Sequence, residues 1–189
     1  MSLLTFAQVQ DWVPQAYGAE NLQQDAIEMA EALADEYCGR TLASTAHTET
    51  HDIGDGQGIV ALRNYPIDTT ATFTVKTGAD TATPTTLTTS DYERDADHGL
   101  LLAADGGTFP AGARSLEVTY TAGYTSATLP AGLRRALLQL VAWVLESRGN
   151  VGTRQESVDG HQWTAEDMDG AVPASIGQAL QPWKAVRIG

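Results

Sequence analysis

Three side chains of metal-ligand type alternate in the first third of the chain: His47, Glu49 and His51. On a strand a spacing of two puts them on one face, where two imidazoles and a carboxylate could hold a divalent cation. The ordinary alternative is a polar row on the solvated face of a strand. On that reading His47→Ala with Glu49→Ala costs within about 0.5 kcal/mol. The run Asp52-Ile53-Gly54-Asp55-Gly56-Gln57-Gly58 has the outline of a calcium loop. It lacks the spaced oxygen ligands and terminal glutamate of an EF-hand and does not repeat, so it reads as a glycine-rich turn. The glycines match neither phosphate-binding fingerprint, and no serine or histidine stands in a nucleophile elbow. No catalytic residue, metal or cofactor is therefore expected.

Charge narrows the partners. Asp and Glu number 24 against 11 Lys and Arg, a formal net charge of −13, which repels phosphate backbones wherever salt does not screen it. Conventional DNA binding is disfavoured. Acidity of this size keeps a small protein soluble, or lines a channel through which duplex DNA slides, because every cation on a phosphate would add affinity and friction. The single cysteine, Cys38, forms no internal disulfide, and folding in the cytoplasm is the expectation. The opening MSLLTFAQVQDWV lacks the basic and apolar segments of a signal peptide, and no run approaches the ~20 apolar residues of a membrane span.

The elements that must position these residues follow from periodicity. Leu116, Val118 and Tyr120 alternate with polar neighbours, which predicts a strand over 115–120. Gly123 and Pro130 punctuate, and Leu133, Leu137, Leu140, Val141 and Val144 then recur at three and four. That spacing predicts a helix over 130–149, roughly 28 Å long at 1.5 Å per residue. A short helix is expected over 4–13, stopped by Pro14. A longer one is expected over 21–39, capped by Asn21 with Gln24 as a capping box and ended by Gly39. Its apolar stripe is Leu22, Ala26, Met29, Ala30, Leu33 and Tyr37, with Asp25, Glu28, Asp35 and Glu36 mostly off it. Threonine-rich alternating runs predict strands over 45–53, 58–63, 70–77 and 100–103, with hairpin signals at Asp55-Gly56 and Asp105-Gly106-Gly107. Residues 80–90 read as an exposed loop or poor edge strand, 150–171 as a polar segment with a turn at 158–160, and 173–180 as a short helix.

Three pieces in order carry a resemblance. They are Tyr120-Thr121-Ala122-Gly123-Tyr124 with the helix Leu133-Arg134-Arg135-Ala136-Leu137-Leu138-Gln139-Leu140-Val141-Ala142-Trp143, the helix end Tyr37-Cys38-Gly39-Arg40, and the terminal Pro182-Trp183-Lys184. The chain resembles the head–tail connector (adaptor) proteins of tailed bacteriophages, whose corresponding pieces commonly read Tyr-Thr-Gly-Arg and Pro-Tyr-Arg; Cys38, Trp183 and Lys184 depart from them. Residues 41–113 match poorly. The expected architecture is α+β, a small helical bundle (two long helices plus short N- and C-terminal helices) with a β-rich insertion. It is read as a single domain, 1–189: N-terminal helices 1–40, insertion 41–125, core helix 128–149, and C-terminal loop, short helix and docking tail 150–189.

The resemblance implies a structural virion protein rather than an enzyme. It would form a ring, typically dodecameric, under the portal, pass double-stranded DNA without reading its sequence, and offer a platform to stopper or tail proteins. Assembly in the host cytoplasm and residence at the head–tail interface follow. Trp183, Lys184, Arg187 and Ile188 become portal-binding candidates, since aromatic and cationic residues are favoured anchors. Asp55, Gln57 and Trp163 are candidates for contact with neighbouring subunits or tail proteins, and Asp25, Glu28, Asp35 and Glu36 for an acidic lumen. The competing expectation is a β-rich ligand- or metal-binding module using His47, Glu49 and His51.

Overall fold

The computed structural model describes residues 2–13, 20–78, 83–147, 157–158, 161–162, 168–169 and 171–185. Among these the chain is α+β, with four α-helices and antiparallel sheets. It divides into two compact units, one built on Thr41–Tyr124 and the other on Ser2–Arg40 with Thr125–Lys184.

In the β unit, β1 (Thr45–Ile53) runs antiparallel along β7 (Gly112–Ala122). The other side of β7 pairs with β3 (Thr74–Thr77), and β3 with β4 (Thr85–Thr86). A second sheet orders β2 (Ile59–Ala61), β6 (Leu100–Ala103) and β5 (Tyr92–Asp95). The alternation in β7 buries Leu116, Val118, Tyr120 and Ala122 in one row. Each fully buried aliphatic side chain there contributes about 1.5–3 kcal/mol. Ile53, Val60, Leu62, Ile67, Val75, Tyr92, Leu101 and Phe109 join that core.

Two turn signals hold as turns but not as hairpins. Asp55-Gly56 leads from β1 to β2, and Ala104–Gly106 from β6 to β7, yet the strands on either side belong to different sheets. Turn chemistry reports a chain reversal, and pairing is decided by which apolar faces must meet. Within the second sheet a hairpin joins β5 to β6 around Asp95 and His98. No expected strand covers β5, because only Tyr92 in Tyr92–Asp95 is apolar.

In the helical unit lie α1 (Phe6–Trp12), α2 (Glu20–Cys38), α3 (Ala131–Ser147) and α4 (Ala174–Leu180). α2 packs on α3, and α4 packs on both. α3 buries Leu133, Leu137, Leu140, Val141 and Val144 as its spacing predicts, and the Pro130 carbonyl accepts the Arg134 N–H at 2.9 Å. The capping box lies elsewhere than expected. Helix α2 already includes Glu20, so Asn21 is inside it, whereas Thr5 and Gln8 bond reciprocally at the start of α1, at 3.0 and 3.3 Å. The α2 stripe is also rotated. Ala26, Ala30, Ala34 and Cys38 are buried with Ile27, while Met29 is 54% exposed. Small side chains let two helices approach closely, and that decides the buried face over side-chain size. The Glu31 carboxylate accepts Ser2 Oγ at 2.7 Å and the N–H groups of Leu3 and Leu4 at 2.8 and 3.1 Å, fixing two buried leucines ahead of α1. Two short antiparallel pairs, β8 (Ser157–Val158) with β9 (His161–Gln162) and β10 (Met168–Asp169) with β11 (Val172–Pro173), stand where the sequence suggests only turns and polar residues.

Just past β7, Gly123 has φ 113°, and a Cβ there would sit 2.6 Å from the Ala43 carbonyl oxygen. Neither backbone can yield cheaply. Gly123→Ala should destabilise by about 2 kcal/mol or more, read as a fall in the urea midpoint.

Candidate functional site

The alternating triad is turned inward. Glu49 is 9% exposed, and His47 and His51 are half-buried on the same face of β1. The expectation of a solvated polar row is thereby corrected. Glu49 sits opposite Val118 and His47 opposite Tyr120, so the pleat that buries β7's apolar row takes the triad in with it.

A carboxylate inside a core must be solvated by fixed donors. The Tyr120 hydroxyl donates to Glu49 Oε1. The Arg63 N–H donates to both oxygens, at 3.2 and 3.1 Å, and Asn64 Nδ2 to Oε1 at 3.3 Å. His51 Nε2 lies 3.2 Å from Oε2. Burial alone would raise the Glu49 pKa, but bonds from His51, Tyr120 and Arg63 outweigh it, and the carboxyl titrates below the usual glutamate range. Burial, with the Glu49 charge, pushes the Tyr120 phenol far up, so it stays protonated. Burial also lowers His47, against the pull of Glu49, and Asn64 Nδ2 lies 3.3 Å from His47 Nδ1. Asn64 Oδ1 accepts the Thr41 N–H at 3.0 Å, and the Asn64 N–H reaches Tyr120 Oη at 3.3 Å.

The Glu49 and Tyr120 oxygens of this arrangement are spent on one another and on Arg63 and Asn64, whereas His47 Nε2 is buried without a hydrogen-bond partner among the described residues. The Glu49 oxygens are occupied by donors, and no three His, Cys, Asp or Glu side chains among the described residues are grouped to hold a metal. The metal-binding alternative thus finds no coordination geometry. Asn64, and the pairing of Tyr120 with Glu49, escaped the sequence reading, although a tyrosine in a buried row requires a partner for its hydroxyl, and Glu49 on the neighbouring strand was the available acceptor.

The C-terminal candidates gather at the ends of α2 and α3. Gly39, at φ 67°, closes α2, and the buried Arg40 then donates from Nε to the Trp183 carbonyl at 2.8 Å. The half-buried Trp183 ring lies against Gly132, where a Cβ would stand 2.9 Å from the ring edge. Lys184 Nζ sits 3.8 Å above the Tyr37 ring, and Gln181 Nε2 donates to the Tyr37 hydroxyl at 3.1 Å. Arg187, Ile188 and Trp163 lie outside the described residues. Asp25, Glu28 and Glu36 are exposed on α2 and Asp35 is half-buried. Asp55 is exposed in its turn. Gln57 closes that turn, accepting the Gly54 N–H at 2.9 Å and donating to the Ile59 carbonyl at 3.1 Å.

No known protein family matches this sequence, and no curated protein matches it. The fold does match solved structures. A chain in the neck of an empty gene transfer agent (GTA) particle, computed with C6 symmetry, superposes with a TM-score of 0.66 over 99% of this chain and 92% of that chain, at 17% identity. A chain of the native gene transfer agent virion gives 0.65 over 99% and 92%, at 18% identity. A chain of the native GTA neck computed with C12 symmetry gives 0.54 over 97% and 89%, at 18% identity. The likeness is one of fold, and it spans nearly the whole of each chain.

Tyr120→Phe should cost about 1.5–3 kcal/mol, because it removes a donor from a buried charge. Acid should weaken the β unit in two stages. His47 has a folded pKa below its ordinary 6.5, so its contribution is complete above that value and is lost as pH falls through the lowered one. Glu49 acts likewise below its ordinary 4.5. Urea midpoints measured against pH should show His47→Gln removing the upper stage and Glu49→Gln the lower.

Proposed function

We propose that this chain is a head–tail connector, a structural protein of a phage-like virion. The observation that carries the reading is the fold shared over 99% of the chain with GTA neck and virion chains. The three motif pieces noted in the sequence agree with it. Symmetric necks of those particles support a ring, and a dodecamer fits the C12 case. In this reading the helical unit acts as the bundle of the connector, and the ring sits under the portal at the head–tail interface after assembly in the host cytoplasm. Stopper or tail proteins dock on the opposite side.

The acidity suits the conduit. Asp25, Glu28 and Glu36 form an exposed acidic row on α2, with Asp35 beside it, and such a row facing the lumen repels the DNA backbone and keeps it sliding. The role requires surfaces rather than chemistry, and the buried polar network of the β unit serves stability. Asp55 and Trp163 are proposed contacts to neighbouring subunits or tail proteins, with Gln57 shaping the turn that presents Asp55. The portal-docking element is the tail, rooted at Trp183 and Lys184 and continuing through Arg187 and Ile188.

Isolated chains carrying net charge −13 repel one another at low salt, so the free protein should be largely monomeric, and portal should drive it into rings. Light scattering and electron imaging test this, and no association with portal at any salt concentration would overturn the reading. Two truncations separate root from tail. Ending the chain after Leu180 removes the residues held by Arg40, Gly132 and Tyr37 and should lower Tm by several degrees, since ~1 kcal/mol shifts a domain of this size by roughly 2–4 °C. Ending it after Lys184 should leave Tm unchanged and abolish portal binding.

A further inference from the structure

We propose that Arg40, Tyr37 and Gly132 form a latch that holds the C-terminal segment by its root, at Trp183 and Lys184, and so fixes where the tail leaves the helical unit. The purpose of the latch rests on the connector reading, but its existence does not, and it is testable on the free chain.

Three independent contacts converge on two consecutive residues. Arg40 is 6% exposed, and its Nε–H is spent on the Trp183 main-chain carbonyl rather than on a side chain. A buried guanidinium aimed at a backbone oxygen fixes the course of the chain whatever side chain stands there. Gly132 is the second contact. It lies in the first turn of α3, where glycine lowers helix stability by up to about 1 kcal/mol relative to alanine. Its lack of a Cβ lets the Trp183 ring edge come within 2.9 Å of where that atom would be. The third contact places the Lys184 ammonium on the Tyr37 face at 3.8 Å, with the Tyr37 hydroxyl accepting from Gln181. The turn Gln181–Trp183 is closed by the Lys184 N–H on the Gln181 carbonyl at 3.2 Å. Residues 37 and 40 flank the left-handed Gly39, so the end of α2 presents ring and guanidinium together. Arg40 is a positioning residue here. It acts on the tail's path through the Trp183 carbonyl.

Trypsin cutting after Lys184 reads the latch directly, because the protease must take the lysine side chain into its own pocket and so must lift it off Tyr37. Cleavage is timed by mass spectrometry, with the Arg135–Ala136 bond inside α3 as the internal reference for global unfolding. In the parent chain the Lys184–Ala185 bond should be cut roughly tenfold or more slowly than in urea-unfolded chain. Gly132→Val, which expels the ring, and Tyr37→Leu, which removes the cation's platform at a half-buried position, should each speed that cut roughly tenfold while the Arg135 bond stays protected. Arg40→Met should do the same if it folds, and the other two variants carry the test if it does not. Equal rates at Lys184 in the parent and in both folded variants would overturn the latch, as would a parent cut at the unfolded rate. Failure to bind portal with the latch intact would instead count against the connector reading alone.

Discussion

The β unit depends on one buried charge. Glu49 lies in the middle of β1, and the donors that solvate it come from three segments: Tyr120 on β7, the Arg63–Asn64 backbone and amide, and His51 on β1 itself. A carboxylate with these partners is worth keeping, and the same carboxylate without one of them costs more than an apolar residue would. The network therefore acts as a register device. A one-residue slip of β1 against β7 would turn Glu49 to solvent, leave Tyr120 unpartnered and put Thr48 or Thr50 into the core. Asn64 carries the constraint further, holding Thr41 where the chain enters the unit.

The helical unit solves the converse problem with a buried cation. Arg40 follows the glycine that ends α2 and satisfies a carbonyl far along the chain, at Trp183. Between these positions the packing is apolar and close, with the alanines of α2 against the leucine-rich face of α3. The lone thiol, Cys38, is buried beside this junction, and desolvation pushes its pKa up to about 11. It is packing material rather than a reactive group.

What was legible in the sequence was whatever one strong period dictates. The β7 row, the α3 stripe, β1 and β6 all follow from spacing, and Gly39 from its helix-ending chemistry. Strand pairing was not legible, because Asp55-Gly56 and Asp105-Gly106 signal reversals without saying which sheet the next strand joins. β5 was invisible for want of a second apolar residue. The inward turn of His47, Glu49 and His51 was missed for a sharper reason. Period two fixes that three residues share a face but not which face, and polarity argued for solvent. The deciding fact was on another strand, where Tyr120 brings a hydroxyl into the core and needs an acceptor. At the C-terminus Trp183 and Lys184 read as anchors for a partner, and their contacts with Gly132 and Tyr37 were not legible, because they bring together residues far apart in the chain, more than a hundred and forty in the case of Tyr37 and Gln181.

These placements bear on how a protein of this kind works. The groups with strongly shifted pKa values, Tyr120 and Cys38, are buried and spent on packing or hydrogen bonding, so neither is poised to donate, accept or attack at neutral pH. The exposed side chains of α2 include Asp25, Glu28 and Glu36, with Met29 beside them, and the large apolar groups exposed among the described residues also include Trp12 at 49% and Ile59 at 55%. Internal polar bonds thus hold the β unit, while the exposed acids of α2 set the charge that any partner of that helix meets.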